Sequence, residues 1–207
     1  AVTTQDSYGG AIFIESAIAL FNECSFSENS VSTQIEKGYG DGGSIYSNFS
    51  NININNCNFN NNEALSTAGE TSNRGAALYI LSSISEIKDS LFDSNSMSKI
   101  FSLGVISIDE SESIFDHCKF RNNFANSELN LGVAFYLYGS NVTFNNCEFI
   151  NNSASASGEY SSSGGGAIYI NNDFDQRNQI LIEDVTFTDC KSYYGGAVYI
   201  LQWWNIN

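Results

Sequence analysis

The residues that most resemble an acid–base catalytic group lie just before the recurring cysteine positions. Lys88 and Asp89 fill this place in one repeat of the sequence, and Asp116 and His117 fill it in the next. A basic group beside carboxylates is the combination that cleavage of a polysaccharide requires. The repeat register predicts Lys88 beside Asp116 and Asp89 beside His117, as solvated ion pairs on a bend. Since none of the three arginines falls beside such a group, we predict no catalytic residues and no enzymatic activity.

The cysteines raise the questions of disulfide formation and metal binding. In a stacked structure Cys24 would lie beside Cys57, and Cys118 beside Cys147, about 4.8 Å apart and within reach of a disulfide. Parallel side chains in a column point alongside each other, which favours buried free thiols, and at least one disulfide is the open alternative. No Cys-x-x-Cys occurs, and the single histidine is predicted on an outward bend, so zinc is not expected. No Asp-x-Asp-x-Asp-Gly pattern supports calcium, and no motif indicates a cofactor.

The elements that must position these residues are imperfect copies of one pattern, best preserved from Gly42 to Ala64. One anchor is a small-residue turn that leads into an apolar strand, and its copies start near residues 9, 42, 75, 104, 132, 165 and 195. The other anchor is Cys-x-Phe-x-x-Asn, whose Phe-x-x-Asn part is intact at Phe26, Phe59, Phe92, Phe120 and Phe149. Repetition along the whole chain predicts a single solenoid domain, residues 1–207.

Alternation within each repeat indicates β-strands rather than helix. Ile52 and Ile54 alternate with asparagines, so the isoleucines share one face of a strand. Each coil is expected to hold three short inward-facing strands that stack in parallel on the next coil. The sequence therefore predicts an all-β parallel β-helix of about six to seven coils, with Gly/Ser-rich spacers (32–41, 65–74 and 155–164) as loops. Besides the phenylalanines, the predicted inward ladders comprise Cys24, Cys57, Cys118 and Cys147, and Asn29, Asn62, Asn95, Asn123 and Asn152.

The charge of the chain limits its partners. Eight basic and 23 acidic residues give a formal net charge of −15. This excess of negative charge counts against nucleic acid or an anionic membrane as a partner. No apolar run reaches the roughly 18 residues of a membrane span, so membrane insertion is not expected.

The repeated Gly-Gly-Ala-Ile and Phe-x-x-Asn motifs resemble the repeats of the polymorphic outer membrane proteins. That family lies within the wider group of right-handed parallel β-helices, which includes pectin-lyase-like folds. The resemblance covers nearly all of the chain. It implies a right-handed β-helix and an adhesive or structural protein that is secreted or displayed at the cell surface.

An aromatic row follows the first strand of most coils. The residue after the first inward position is aromatic in six coils, and alternation predicts that it points outward. The row then stacks on itself to shield the sheet, or it forms a contact surface for sugar rings or another protein. Its members are Phe13, Tyr46, Tyr79, Tyr136, Tyr169 and Tyr199.

Three Asn-x-Ser/Thr sequons are candidate N-glycosylation sites if the chain enters a eukaryotic secretory pathway. They start at Asn48, Asn141 and Asn151, on predicted loops or outward positions.

The two termini read as complementary parts of one coil, which predicts head-to-tail stacking into a filament. The expected self-assembly residues are Val2, Tyr8, Trp203, Trp204 and Ile206. The preferred hypothesis is thus an extracellular structural subunit whose partner is itself. The alternatives are a surface adhesin or carbohydrate-binding passenger that uses the aromatic row, with glycans or other surface proteins as partners, and, with least support, a polysaccharide lyase or hydrolase.

Overall fold

The protein folds as an all-β parallel solenoid, as the alternation predicts. The computed structural model describes residues 6–33, 38–66, 72–156, 162–172 and 178–202. Across these residues 28 strands form four sheets, here called A to D, and all paired strands run parallel. The strands stack in six levels in sheets C and D and in seven in sheet B.

The strands follow each other in the order B, C, D, A within each coil. Sheet B contains β2 (Ile12–Glu15), β7 (Ile45–Asn48), β12 (Leu78–Leu81), β16 (Ile106–Asp109), β20 (Phe135–Tyr138), β25 (Ile168–Asn172) and β28 (Val198–Gln202). Sheet C contains β3 (Ile18–Asn22), β8 (Asn51–Asn55), β13 (Ile84–Lys88), β17 (Glu112–Asp116), β21 (Asn141–Asn145) and β26 (Gln179–Glu183). Sheet D contains β4 (Ser25–Ser27), β9 (Asn58–Asn60), β14 (Leu91–Asp93), β18 (Lys119–Arg121), β22 (Glu148–Ile150) and β27 (Thr186–Thr188).

The prediction of three strands per coil with Gly/Ser-rich loops is wrong, because the spacers form a fourth sheet, sheet A. It is built largely from the Gly/Ser-rich spacers, whose strands pair in parallel from coil to coil. Two of its strands are eight residues long, longer than any strand of the other three sheets. Its strands are β1 (Ser7–Tyr8), β5 (Ser30–Thr33), β6 (Tyr39–Asp41), β10 (Glu63–Ser66), β11 (Ser72–Arg74), β15 (Ser96–Leu103), β19 (Phe124–Leu131), β23 (Ser153–Ala156) and β24 (Ser162–Gly164).

Each coil turns at corners where one residue has the left-handed backbone conformation. Glycine occupies the corner between sheets A and B, and at Gly75 (φ 64°) an added Cβ would lie 2.1 Å from the carbonyl oxygen of Leu78. Polar residues fill most of the other corners, because asparagine, aspartate and serine tolerate this conformation better than bulkier residues. The non-glycine corner residues include Ser16, Phe49, Ser82 and Glu110 (B to C), Glu23, Asn56, Asp89, His117, Asn146 and Asp184 (C to D), and Glu28, Asn61, Ser94, Asn122, Asn151 and Asp189 (D to A).

The predicted asparagine ladder lies just after the left-handed corners between sheets D and A. Asn62 donates its backbone N–H and its Nδ2 to Oδ1 of Asn95, at 3.0 and 2.9 Å. Asn95 repeats both bonds to Asn123, and its Nδ2 also donates to the carbonyl of Phe59. The ladder thus satisfies a backbone donor that each corner would otherwise leave unpaired inside the protein.

A serine ladder at the corner between sheets B and C follows the same rule and was missed in the sequence. The hydroxyl of each serine accepts the N–H of the equivalent residue one coil earlier, at 3.0–3.2 Å. Its members are Ser50, Ser83, Ser111 and Ser140.

The core is a stack of apolar columns that includes the predicted phenylalanine ladder. Successive rings of Phe26, Phe59, Phe92, Phe120 and Phe149 stack with centroids 4.7–5.2 Å apart, and Phe187 extends the stack. The cysteines are free thiols, so the structure favours the first of the two alternatives. Each ladder thiol donates to the carbonyl two residues earlier, as Cys147 does to Asn145 at 3.2 Å.

Candidate functional site

The outer face of sheet B meets the ends of the sheet A strands along one corner of the solenoid, and we call this region the corner groove. Its floor includes the aromatic row, and its wall is formed by the residues just before the corner glycines. Those wall residues are Tyr8, Asp41, Arg74, Leu103, Leu131, Gly164 and Tyr194.

The prediction that the aromatic row is an exposed stripe is wrong for four of its six members. Tyr46, Tyr79, Tyr136 and Tyr169 are buried, and Tyr199 is half-buried, while Phe13 is 49% exposed. The rings point away from the core side of sheet B, as expected. Side chains from sheet A nevertheless cover them, as Arg74 covers Tyr79. The alternative that the rings pack against each other and shield the sheet agrees with the ring contacts. Four successive pairs have centroids 5.1–5.9 Å apart: Phe13–Tyr46, Tyr46–Tyr79, Tyr136–Tyr169 and Tyr169–Tyr199.

A buried charged cluster occupies the middle of the corner groove. Arg74 contacts Asp41 through two hydrogen bonds, Nε to Oδ1 at 2.9 Å and Nη2 to Oδ2 at 2.6 Å. Its Nη1 lies 3.7 Å from Oδ2 of Asp109, and the Tyr79 hydroxyl donates to that same oxygen at 2.8 Å. The guanidinium carbon also lies 4.6 Å from the ring centre of Tyr39 and 4.5 Å from that of Tyr79. One cation is therefore held by two carboxylates and between two aromatic rings.

Burial dominates the titration of this cluster. Loss of hydration raises the pKa of Asp41 to about 6, although the adjacent Arg74 lowers it. Burial also raises the pKa of Asp109, against the hydrogen bond from Tyr79 and the charge of Arg74. Asp109 Oδ1 is buried and has no hydrogen-bond partner among the described residues. Two buried carboxyl groups with raised pKa values thus share a single cation.

This geometry is better suited to joining two sheets than to acid–base chemistry. Asp41 has no exposed surface, and both of its carboxylate oxygens are bonded to Arg74. A general acid or base must reach a proton on its substrate, and Asp41 is covered. Asp41 and Arg74 end sheet A strands while Tyr79 and Asp109 lie in sheet B, so the cluster fastens one sheet to the other.

The sequence contained a signal for this cluster. Asp41 and Arg74 both precede a corner glycine and therefore occupy the same place in adjacent coils, with opposite charges. The expectation that no arginine lies beside a carboxylate cluster is wrong here. Both residues lie in segments predicted as loops, and a loop prediction assigns no pairing between adjacent coils.

The predicted pairs at the corner between sheets C and D are only partly formed. Lys88 and Asp116 are register partners in adjacent strands, as expected. Their ion pairs are local, however: Lys88 Nζ lies 2.6 Å from Glu86, and His117 Nδ1 lies 3.0 Å from Asp116. These side chains are exposed or half-buried, so they form solvated surface pairs.

The corner groove widens into an apolar pocket beyond the charged cluster. The cavity has a volume of about 330 Å³. Gly164 contributes no side chain at a wall position where the preceding coils have Leu103 and Leu131. The lining residues are Leu129, Leu131, Ser163, Gly164, Tyr169, Asn171, Tyr194, Tyr199 and Leu201.

The two ends of the described stack leave inward-facing side chains partly uncovered. Ile12, Phe21 and Cys24 in the first coil, and Phe187 and Val198 near the other end, are only partly buried, whereas equivalent residues in the middle coils are fully buried. Strands β2, β3 and β4 pair on one edge only, and so do β26, β27 and β28. Tyr8 is 41% exposed and packs on Tyr46 near the first coil. Val2, Trp203, Trp204 and Ile206 lie outside the described residues.

The three sequons occupy different environments. Asn141 is exposed in β21, and Asn151 is exposed at a left-handed corner. Asn48 is half-buried at the end of β7, and its Oδ1 is buried. An oligosaccharide transferred to folded protein would therefore reach Asn141 and Asn151 more readily than Asn48.

Metal-binding clusters and membrane-spanning helices are both absent from the described part of the chain. Within the residues that the structure describes, no three His, Cys, Asp or Glu side chains are grouped in a way that could hold a metal ion. The same residues form no helix long and apolar enough to cross a membrane.

Comparison with known proteins gives a family but no individual relative. No curated protein and no solved structure matches the chain significantly. The narrower resemblance to the repeats of polymorphic outer membrane proteins stays a prediction. The model of one family, described as a right-handed beta helix region, matches residues 2–205. Because this match spans nearly the whole sequence and agrees with the stacked parallel sheets, the chain belongs to the right-handed β-helix family.

Proposed function

We propose that this protein is a non-enzymatic structural β-helix, located outside the cell or at its surface, whose stack continues end to end into a second copy of the same chain. The observation that carries the proposal is the partial exposure of inward-facing residues at both ends of the described stack. A solenoid buries its apolar columns only by stacking, so an uncovered end favours the addition of another coil.

The two ends offer the same columns to each other. Ile12 and Val198 belong to one apolar column of sheet B, and Phe26 and Phe187 belong to one phenylalanine column of sheet D. A second copy that follows the same axis would place apolar side chains over apolar side chains and strand edge beside strand edge. Such a head-to-tail contact does not close on itself, and it produces a filament.

Charge works against this association at low ionic strength. Each copy carries a formal net charge of −15, so two copies repel each other. Added salt screens exposed charges, and the association is therefore expected to strengthen as ionic strength rises.

A matched pair of variants tests the stacking surface. Ile200 is 61% exposed at the last strand of sheet B and belongs to an inward column, whereas Ile84 is 55% exposed on the outer face of sheet C. We expect Ile200→Glu to weaken self-association at least tenfold, because it places a charge in the stacking surface. Ile84→Glu should leave association as in the wild type. Analytical ultracentrifugation over a range of protein and salt concentrations measures the effect, and electron microscopy shows whether the assemblies are linear.

Two results would contradict the proposal. A wild-type chain that stays monomeric at every concentration and salt would mean that something other than a second copy covers the ends. Equal loss of association in both variants would locate the contact on the sides of the solenoid.

The other two hypotheses have less support. A surface adhesin that uses the whole aromatic row requires exposed rings, and four of the six are buried. A polysaccharide lyase or hydrolase requires reachable acid–base groups, and the carboxylate of Asp41 is covered and paired with Arg74. Turnover of any neutral or acidic polysaccharide by the purified chain would overturn the non-enzymatic proposal.

A further inference from the structure

We propose that the apolar pocket of the corner groove binds the ring of a neutral sugar. This site borders the stacking surface, since Tyr199 and Leu201 flank Ile200 in β28, and it is open in the monomer.

The pocket exists because one wall side chain is missing. In each of the preceding coils from Tyr8 to Leu131, the residue before the corner glycine carries a side chain against the groove, and at residue 164 it is glycine. An added Cβ at Gly164 would lie 3.1 Å from the Tyr169 ring and 3.3 Å from the Tyr199 ring. A side chain at this position would therefore be crowded against both rings, and glycine leaves their faces uncovered on this side.

The walls of the pocket are fixed in place by the backbone of sheet A. Gly164 pairs with Tyr194 in a parallel bridge, and Tyr194 donates its backbone N–H to the carbonyl of Ser163 at 2.8 Å. The floor is equally ordered, since the rings of Tyr169 and Tyr199 stack with centroids 5.2 Å apart. A preformed site of this kind loses little conformational entropy when it binds a ligand.

The lining selects for an uncharged ligand with both apolar and polar groups. Three leucines and three tyrosines supply apolar and aromatic surface, and the tyrosine hydroxyls, Ser163 and Asn171 supply polar groups. Among the described residues that line the pocket, none carries a charged side chain, and the net charge of −15 disfavours anionic ligands. A pyranose fits this description, because its C–H face packs on aromatic rings while its hydroxyls form hydrogen bonds at the edge.

Exposed tyrosines lie at the mouth of the pocket in the monomer. Tyr194 lines the pocket and is 52% exposed, and the neighbouring Tyr193 is 76% exposed. Their rings are in edge-to-face contact with centroids 4.7 Å apart. Both rings belong to the last described coil, and together they form an exposed aromatic surface beside the cavity.

The test is titration with neutral methyl pyranosides of the gluco, galacto and manno configurations, followed by calorimetry and by NMR of the tyrosine rings. At least one of them is expected to bind saturably with a Kd of roughly 1 mM, as is typical of a single small ring. Gly164→Leu restores the side chain type of the preceding coils and should weaken binding at least tenfold. Tyr194→Ala should also weaken binding, and Ile84→Glu, on the outer face of sheet C, should change it less than twofold. Measuring at low salt, where repulsion between the negatively charged copies is least screened, keeps the result independent of self-association.

Three outcomes would overturn this proposal. The first is the absence of saturable binding of all three pyranosides to the wild type at 100-fold the expected Kd. The second is unchanged binding in a folded Gly164→Leu variant, which would place the sugar elsewhere on the protein. The third is binding of indole but of no pyranoside, which would make the pocket a purely apolar cavity.

Discussion

Replacing Asn95 with leucine is expected to lower the free energy of unfolding by about 3 kcal/mol. Asn95 has no exposed surface, and its side chain makes four hydrogen bonds to two neighbouring coils. Leucine would leave the backbone N–H of Asn62 without its acceptor and would remove a donor from the carbonyl of Phe59. A buried polar group that loses its partner costs about 1–3 kcal/mol, and two are affected here. Chemical denaturation followed by far-ultraviolet circular dichroism measures the loss.

The first coil offers a matched control for this substitution. Asn29 occupies the same column but is half-buried, and its side chain donates a single bond, to Asn62 Oδ1 at 3.0 Å. Asn29→Leu is therefore expected to cost less than about 1 kcal/mol. Equal losses of unfolding free energy at the two positions would contradict this prediction. They would show that the effect of leucine depends on its shape and that the hydrogen bonds of the ladder contribute little.

The stacked part of the fold was predictable because each coil repeats the same short pattern. Ile52, Cys57, Phe59 and Asn62 stand at fixed spacings, so their inward direction follows from the period of two along a strand. The same arithmetic places the asparagines after a bend, where their amides meet the backbone of the next coil. The serine ladder was equally regular at Ser50, Ser83, Ser111 and Ser140, but serine is so frequent in the chain that its recurrence did not stand out.

Sheet A could not be predicted, because its spacers differ in length and composition. A period of two is recognisable only when apolar residues mark one face of a strand. In the part of sheet A that precedes the corner glycines, the inward positions hold small or polar residues, namely Gly40, Asn73, Ser102, Asn130 and Ser163. Segments of this composition are typical of loops. The misassignment also explains the error about the tyrosines, since the side chains that cover them belong to these spacers.

Replacing Arg74 with methionine is expected to lower the free energy of unfolding by about 3 kcal/mol at pH 7, because it leaves two buried carboxylates without their cation. Asp41 has no exposed surface and relies on Arg74 for two hydrogen bonds. Methionine keeps much of the apolar side-chain volume between Tyr39 and Tyr79, so the loss reports mainly on charge. Urea denaturation of the wild type and the variant at pH 7 measures the difference.

The dependence of this loss on pH identifies its cause. The folded-state pKa of Asp41, about 6, lies above its ordinary value of 3.8, so its contribution to stability is greatest below pH 3.8 and falls as pH rises to about 6. Removing Arg74 raises that pKa further, and the unfavourable effect then continues above pH 6. The difference in unfolding free energy between variant and wild type should therefore shrink as the pH is lowered from 7 to 5, where the carboxyl is increasingly protonated in both folded proteins.

Asp41→Asn in the Arg74→Met background should recover most of the loss at pH 7, because the buried group is then neutral. A loss that is the same at both pH values and is not recovered by Asp41→Asn would mean that Arg74 stabilises the corner groove by packing on Tyr39 and Tyr79 rather than by neutralising Asp41 and Asp109.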